Sequence, residues 1–167
     1  ILLYQAFNWK IPEFGHLPLL LNSDKTKLSK RKNDVSVSNY IDKGYTKEAL
    51  INFLSLLGWH EKGDREIYKL DELIESFSFE RVSKSGAVFD INKLNYFNNY
   101  YIKNYPINEL QILLNDFYNN KNIFNDKMIE LVRDKINTLD DFKKSLEFFF
   151  LDSIVFNEDD KSYIKSD

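Results

Sequence analysis

Apolar side chains in this chain recur at spacings of three and four residues, in one stretch after another, and that periodicity points to packed helices. Thr46 stands as an N-cap before Ala49, Leu50, Phe53, Leu54 and Leu57, with Glu48 at the positive end of the helix dipole and Gly58 just past the far end. Asp90 precedes Ile91, Leu94, Phe97 and Tyr101 in the same way. Pro106 breaks the chain and can open a new helix whose inner stripe is Leu110, Leu113, Leu114 and Phe117. Met128, Ile129, Val132 and Ile136 mark another helix beyond the polar link 119–122. Thr138 and Asp141 have capping-box spacing and open a helix carrying Leu139, Phe142, Leu146, Phe149 and Phe150. Shorter helices are expected over 2–9, over 36–43 before Gly44, and over 70–77.

Two stretches break the helical period. Residues 17–21 (LPLLL) form a short continuous apolar run between a turn and Asn22, which reads as a buried strand end. Ala87-Val88-Phe89 follows the turn Ser83-Lys84-Ser85-Gly86 and reads as a second short strand. The expected fold class is therefore mainly α with short β strands, and no repeat of solenoid period is present.

The 167 residues suit one domain, or one and a part. An apolar share of 43% excludes a disordered chain. The absence of cysteine excludes a disulfide scaffold, a thiolate metal site and cysteine catalysis. His16 and His60 are too few for a histidine-rich metal site. His16, with no partner acid or nucleophile in view, reads as structural, and His60 as a surface or interface residue. No apolar run approaches the roughly 18 residues of a helical membrane span. The opening Ile1-Leu2-Leu3-Tyr4-Gln5 has no initiator Met and no signal-peptide pattern. The all-round apolar Phe148-Phe149-Phe150-Leu151 sits near the other end. Both features lead us to expect an interior piece of a longer protein.

Net charge is −3, but its distribution is uneven. Lys25, Lys27, Lys30, Arg31 and Lys32 against Asp24 and Asp34 leave a local excess of +3, while Glu158, Asp159, Asp160 and Asp167 make the tail acidic. One concentrated basic loop on a mildly acidic chain suits a local anion such as a polyphosphate, and suits a DNA-coating surface poorly. The blander reading is a solvated loop.

Residues 16–37, HLPLLLNSDKTKLSKRKNDVSV, resemble the second signature of the class I aminoacyl-tRNA synthetases, the KMSKS loop, and within that class are most similar to the glutamyl-tRNA synthetase family. Residues 44–59 (GYTKEALINFLSLLGW) and 77–102 (FSFERVSKSGAVFDINKLNYFNNYYI) resemble two further blocks of that family in the same order, and 128–150 do so more weakly. The resemblance implies that 1–34 end a nucleotide-binding catalytic domain, 35–105 form a stem-contact domain, and 106–167 begin an α-helical anticodon-binding bundle. It implies ATP-dependent attachment of glutamate to tRNA in the cytoplasm, with ATP, Mg2+, glutamate and tRNA(Glu) as partners. It leaves open whether tRNA(Gln) is charged too, and it implies neither a membrane nor DNA.

By the same resemblance, Lys30 stabilises the triphosphate, Lys27 and Ser29 support the loop and the phosphates, and the backbone of Leu19 and Leu20 borders the adenine of ATP, their side chains being plain core. The physics suits those roles, because forming an aminoacyl-adenylate develops charge on the departing pyrophosphate and a movable lysine meets that charge late. Arg81, Lys93 and Asn98 are the implied tRNA contacts. Three positions depart from the family pattern: Asn33 and Asn99 stand where glycine is common, and Tyr96 where tryptophan is. Asn99 puts the end of its helix in question. The HIGH signature and the nucleotide-fold half are absent from these residues, as is a zinc-binding insertion. The expected activity of the isolated piece is accordingly none, with no cofactor or metal bound. A non-catalytic tRNA-binding helical module is the alternative, and a structural helical protein with a chance KLSKR is a third reading, against which the two further blocks weigh.

Overall fold

Side-chain caps set where three of the helices begin. In the computed structural model, which describes residues 1–29, 36–120 and 124–151, the Thr46 hydroxyl accepts from the Ala49 amide, Asp90 from Asn92 and Asn125 from Met128. The helices so started are α3 (Lys47–Gly58), α5 (Ile91–Asn104) and α7 (Asp126–Val132). The others are α1 (Leu2–Ala6), α2 (Val37–Asp42), α4 (Leu70–Ser76), α6 (Ile107–Phe117) and α8 (Asp141–Ser145), with 3-10 turns at Phe79–Arg81 and Glu147–Phe150. Lys30, Arg31, Lys32 and Asn33, the link residue Asn122 and the acidic tail from 152 onward lie outside the described residues.

Strands β1 (Leu20–Leu21) and β2 (Ala87–Val88) pair in parallel, with Leu20 beside Ala87 and Leu21 beside Val88. The connection between them runs through α2, α3 and α4. Gly86 permits the close approach: a Cβ there would lie 2.7 Å from Leu21 Cδ1 and 3.3 Å from the Leu19 carbonyl oxygen.

Two apolar cores share α5. Its Leu94 and Phe97 pack with Ala49, Leu50, Phe53 and Leu56 of α3 and with Trp59, Tyr68 and Leu73. Its Ile102 packs instead with Leu110, Leu114, Phe124, Ile129, Phe142 and Leu146. A single helix thus carries the first lobe into the second. Among the described residues no helix is long and apolar enough to cross a membrane.

The structure corrects several local expectations. Only Leu20 and Leu21 of the 17–21 run form a strand, and Leu17 and Leu19 are 79% and 58% exposed. β1 has only the two residues of β2 on one side and the limb of its own hairpin on the other, so burial does not follow from apolarity. In α3 the buried stripe takes Asn52 and Leu56, while Leu54 faces solvent, and Gly58 is the last helical residue. α7 stops at Val132, so Ile136 enters the core from the following turn. Asp141 does accept from the amides of Asn137 and Thr138, but the helix starts only at Asp141. Phe149 and Phe150 fall in the 3-10 turn, about half exposed. α5 runs unbroken through Asn99 to Asn104, because the Asn99 amide donates to the Ile136 carbonyl instead of ending the helix.

Candidate functional site

The basic stretch starts as a tight hairpin on the end of β1. The Asn22 amide donates to Thr26 O (2.8 Å), the Lys25 amide to Asn22 O (2.9 Å) and the Leu28 amide to Leu20 O (2.9 Å). Lys25 takes the left-handed conformation (φ 65°) that a three-residue hairpin loop needs at its last position. Asp24 locks the turn: one carboxylate oxygen accepts from the Thr26 amide (2.9 Å) and hydroxyl (2.6 Å), and those bonds hold its pKa below the ordinary carboxylate range. Asn22 adds a side-chain bond to the Thr26 hydroxyl.

The hairpin sets Lys27 directly opposite Leu21. Along the limb Lys27 is exposed to solvent, whereas Leu28 and Ser29 are half-buried. Lys27 forms no ion pair among the described residues. The carbonyls of Leu19 and Leu20 accept from the amides of Ala87 and Leu28, so sheet and hairpin hold both backbones rigidly. Leu19 is exposed, which corrects the expectation of a plain core side chain there. Lys30, the residue first expected to meet the triphosphate, lies outside the described residues.

The implied tRNA contacts are scattered. Arg81 ends the 3-10 turn after α4 and is half-buried. Lys93 pairs with Glu66 at 2.5 Å and borders a cleft of about 160 Å³ beside Leu56, His60 and Val88. Asn98 is fully buried: its oxygen accepts from the Thr46 amide (2.8 Å) and hydroxyl (2.9 Å), and its nitrogen donates to the carbonyls of Asn137 (2.6 Å) and Gly44 (3.3 Å). With that engagement Asn98 cannot face an RNA backbone, and its role is internal.

A larger groove of about 540 Å³ lies between 65–72 and the C-terminal half of α5, lined by Arg65, Tyr68, Lys69, Glu72, Tyr100 and Tyr105. Arg65 Nη2 donates to both Glu72 oxygens (2.7 and 2.6 Å) and the guanidinium lies over the Tyr68 ring. This pairing raises the Arg65 pKa and lowers that of Glu72. Burial pushes the Tyr101 hydroxyl up to about 12 and raises that of Tyr105, which also donates to Glu48. These groups are committed to one another. Among the described residues neither groove pairs a nucleophile with a base, and no group of three or more His, Asp or Glu could hold a metal ion.

Sequence reasoning missed Asn52, buried on α3, whose nitrogen donates to the Glu66 carbonyl (2.9 Å) and whose oxygen accepts from the Tyr68 amide (3.0 Å). Its place between Ile51 and Phe53, one turn after Glu48, was the available signal; an amide inside an apolar stripe must find partners.

The profile of the family described as "tRNA synthetases class I (E and Q), catalytic domain" matches residues 1–96. A glutamate–tRNA ligase of Pelodictyon phaeoclathratiforme is 41% identical over 176 residues, covering 95% of this chain and 35% of the relative. That of Chlamydia abortus is 49% identical over 151 residues, covering 90% of this chain and 30% of its own length. The crystal structure of a glutamate tRNA ligase from Elizabethkingia meningosepticum in complex with its amino acid superposes with a TM-score of 0.82 at 30% identity, covering 99% of this chain and 38% of that one. The chain spans about a third of the length of the curated relatives it matches.

Proposed function

The chain belongs to the class I tRNA synthetases of the E and Q group, and from that premise we propose that it is the stretch of a glutamate–tRNA ligase running from the end of the catalytic domain into the helical tRNA-facing region. In this reading 1–34 close the catalytic domain, 35–105 contact the tRNA stem and 106–167 open the anticodon-binding bundle. The change of core along α5, between Phe97 and Ile102, supports a division near the second boundary. The β1–β2 pairing would join the first two parts by a shared sheet edge. The relatives reported above are glutamate–tRNA ligases by name, which favours tRNA(Glu) as the partner. A translation enzyme of this kind would work in the cytoplasm.

The observation that carries the reading is the hairpin that displays Lys27 on the rim of β1. With no ion pair among the described residues, Lys27 offers its charge to an approaching anion from the limb of the hairpin. With Lys30 and Ser29 it would meet the pyrophosphate as it leaves glutamyl-adenylate, where charge grows in the transition state. Magnesium would enter with ATP as part of that substrate. Arg81 and Lys93 remain the proposed RNA contacts, and Lys93 would have to trade Glu66 for a phosphate.

The test is glutamate-dependent ATP–pyrophosphate exchange. In the whole enzyme Lys27→Ala should cut kcat by about a hundredfold, the usual loss for one preorganised transition-state donor, with thermal stability unchanged. Exchange at the unmodified rate would refute the role. The isolated chain should give no exchange above a buffer blank, and turnover there would refute the division of labour between this stretch and the rest of the enzyme.

A further inference from the structure

A buried polar knot lies where α2, α3, α5 and the turn 136–141 meet, and the proposed reaction uses none of it. Gly44, which ends α2 with φ 85°, sits against that turn so closely that a Cβ would lie 2.7 Å from the backbone nitrogens of both Leu139 and Asp140. Its carbonyl accepts from the Leu139 amide (2.9 Å) and from the Asn98 side chain (3.3 Å). Asn98 also accepts from the Thr46 amide and hydroxyl and donates to the Asn137 carbonyl. Asn99 holds the Ile136 carbonyl, and Tyr118 holds those of Leu139 and Asp140 from the second lobe.

The apolar cores do not supply this connection. On α5 the fully buried residues of the first end at Phe97, with Tyr101 packed against them, and those of the second start at Ile102. Among the described residues the α2–α3 corner is fastened to the second lobe, apart from α5 itself, by this knot and by the Tyr105 hydroxyl bond to Glu48. Because Asn98 is fully buried, each of its bonds is obligatory: one lost partner leaves a desolvated group that water cannot reach.

We infer that the Gly44–Asn98–Asn137 knot is a latch through which the second lobe holds the α2–α3 corner, so that loosening the second core releases α2 while the rest of the first core stays closed. Asn98 is the positioning residue of this latch. The latch rests on the geometry alone; its consequence for a synthetase, that α2 answers to displacement of the second lobe, rests on the function proposed above.

Amide hydrogen exchange on this chain tests it without reading any synthetase activity, so failure here and failure of the proposed function are separate results. Leu110→Ala removes a fully buried leucine of the second core that takes no part in the knot. Peptides covering 36–45 should then exchange at least about tenfold faster, while α4 peptides in the first lobe keep their protection. With Asn98→Ala as background, 36–45 should already be fast and Leu110→Ala should add nothing. Asn98→Asp keeps the acceptor for Thr46, removes both donors and turns a carboxylate oxygen on the Gly44 and Asn137 carbonyls, so it should release 36–45 at least as fully as alanine. Unchanged exchange at 36–45 in the Leu110→Ala chain overturns the latch, as does a full Leu110→Ala response that persists without the Asn98 donors. Should Leu110→Ala unfold the second lobe entirely, protected 36–45 amides would overturn it just as plainly.

Discussion

Asn52 offers the sharpest quantitative test of how the first lobe is held. Truncation to alanine deletes the donor to the Glu66 carbonyl and the acceptor shared by the Tyr68 amide and the Tyr101 hydroxyl. Tyr101 loses least, since its hydroxyl also reaches the Tyr68 carbonyl at 2.7 Å. Glu66 is exposed and can recruit water. The Tyr68 amide belongs to a residue only 2% exposed and is left orphaned. Two net bonds at about 1 kcal/mol each and one unsatisfied buried donor at about 1–3 kcal/mol give an expected loss of about 3–5 kcal/mol. Urea unfolding followed by the fluorescence of Trp59, buried with its ring 6.4 Å from that of Tyr68, reads the change. Tyr101→Phe is the calibrating variant and should cost about 1 kcal/mol, because Asn52 keeps its bond to the Tyr68 amide. A loss below about 1 kcal/mol for Asn52→Ala, with the denaturant slope unchanged, would show that the bonds to the 60–69 loop are replaceable and that the reasoning is wrong.

Alkaline unfolding should be steep. Tyr101 and Tyr118 are raised to about 12 by burial, above the ordinary 10.0, so their neutral forms favour the fold. Their contribution is fully present below about pH 10 and is lost as pH rises through about 12. A spectroscopic titration in which every tyrosine ionises near its ordinary value while the chain is still folded would contradict this. Gly44→Ala should destabilise more than Gly86→Ala, by about 3 kcal/mol against about 1 kcal/mol. The first meets backbone nitrogens from a left-handed conformation, whereas the second meets chiefly the end of the Leu21 side chain, which can rotate away. Thermal melts in the reverse order would refute the distinction.

Much of the fold could be read along the chain because its signals are local. Thr46, Asp90 and the spacing of Leu94 and Phe97 act within one or two helical turns, and the helices begin where those residues say. The hairpin after β1 is equally local, since Asp24 and Thr26 close it between themselves. Periodicity was less reliable at the helix ends and on α3, where Leu56 and Leu54 differ only in which neighbour happens to cover them.

Asn98 shows the opposite case. Its residue type alone allowed a solvent-facing RNA contact, and nothing in the neighbouring residues forbade it. Burial of an amide is settled by partners distant in sequence, here Gly44, Thr46 and Asn137, which only the folded chain brings within 3.3 Å. Helix starts, turn chemistry and the family-like blocks are therefore properties of the chain as written, because each depends on residues a few bonds apart. Which polar groups go inward, and whether the LPLLL run is covered, depend on long-range packing, because desolvation is a property of the whole neighbourhood and not of the residue.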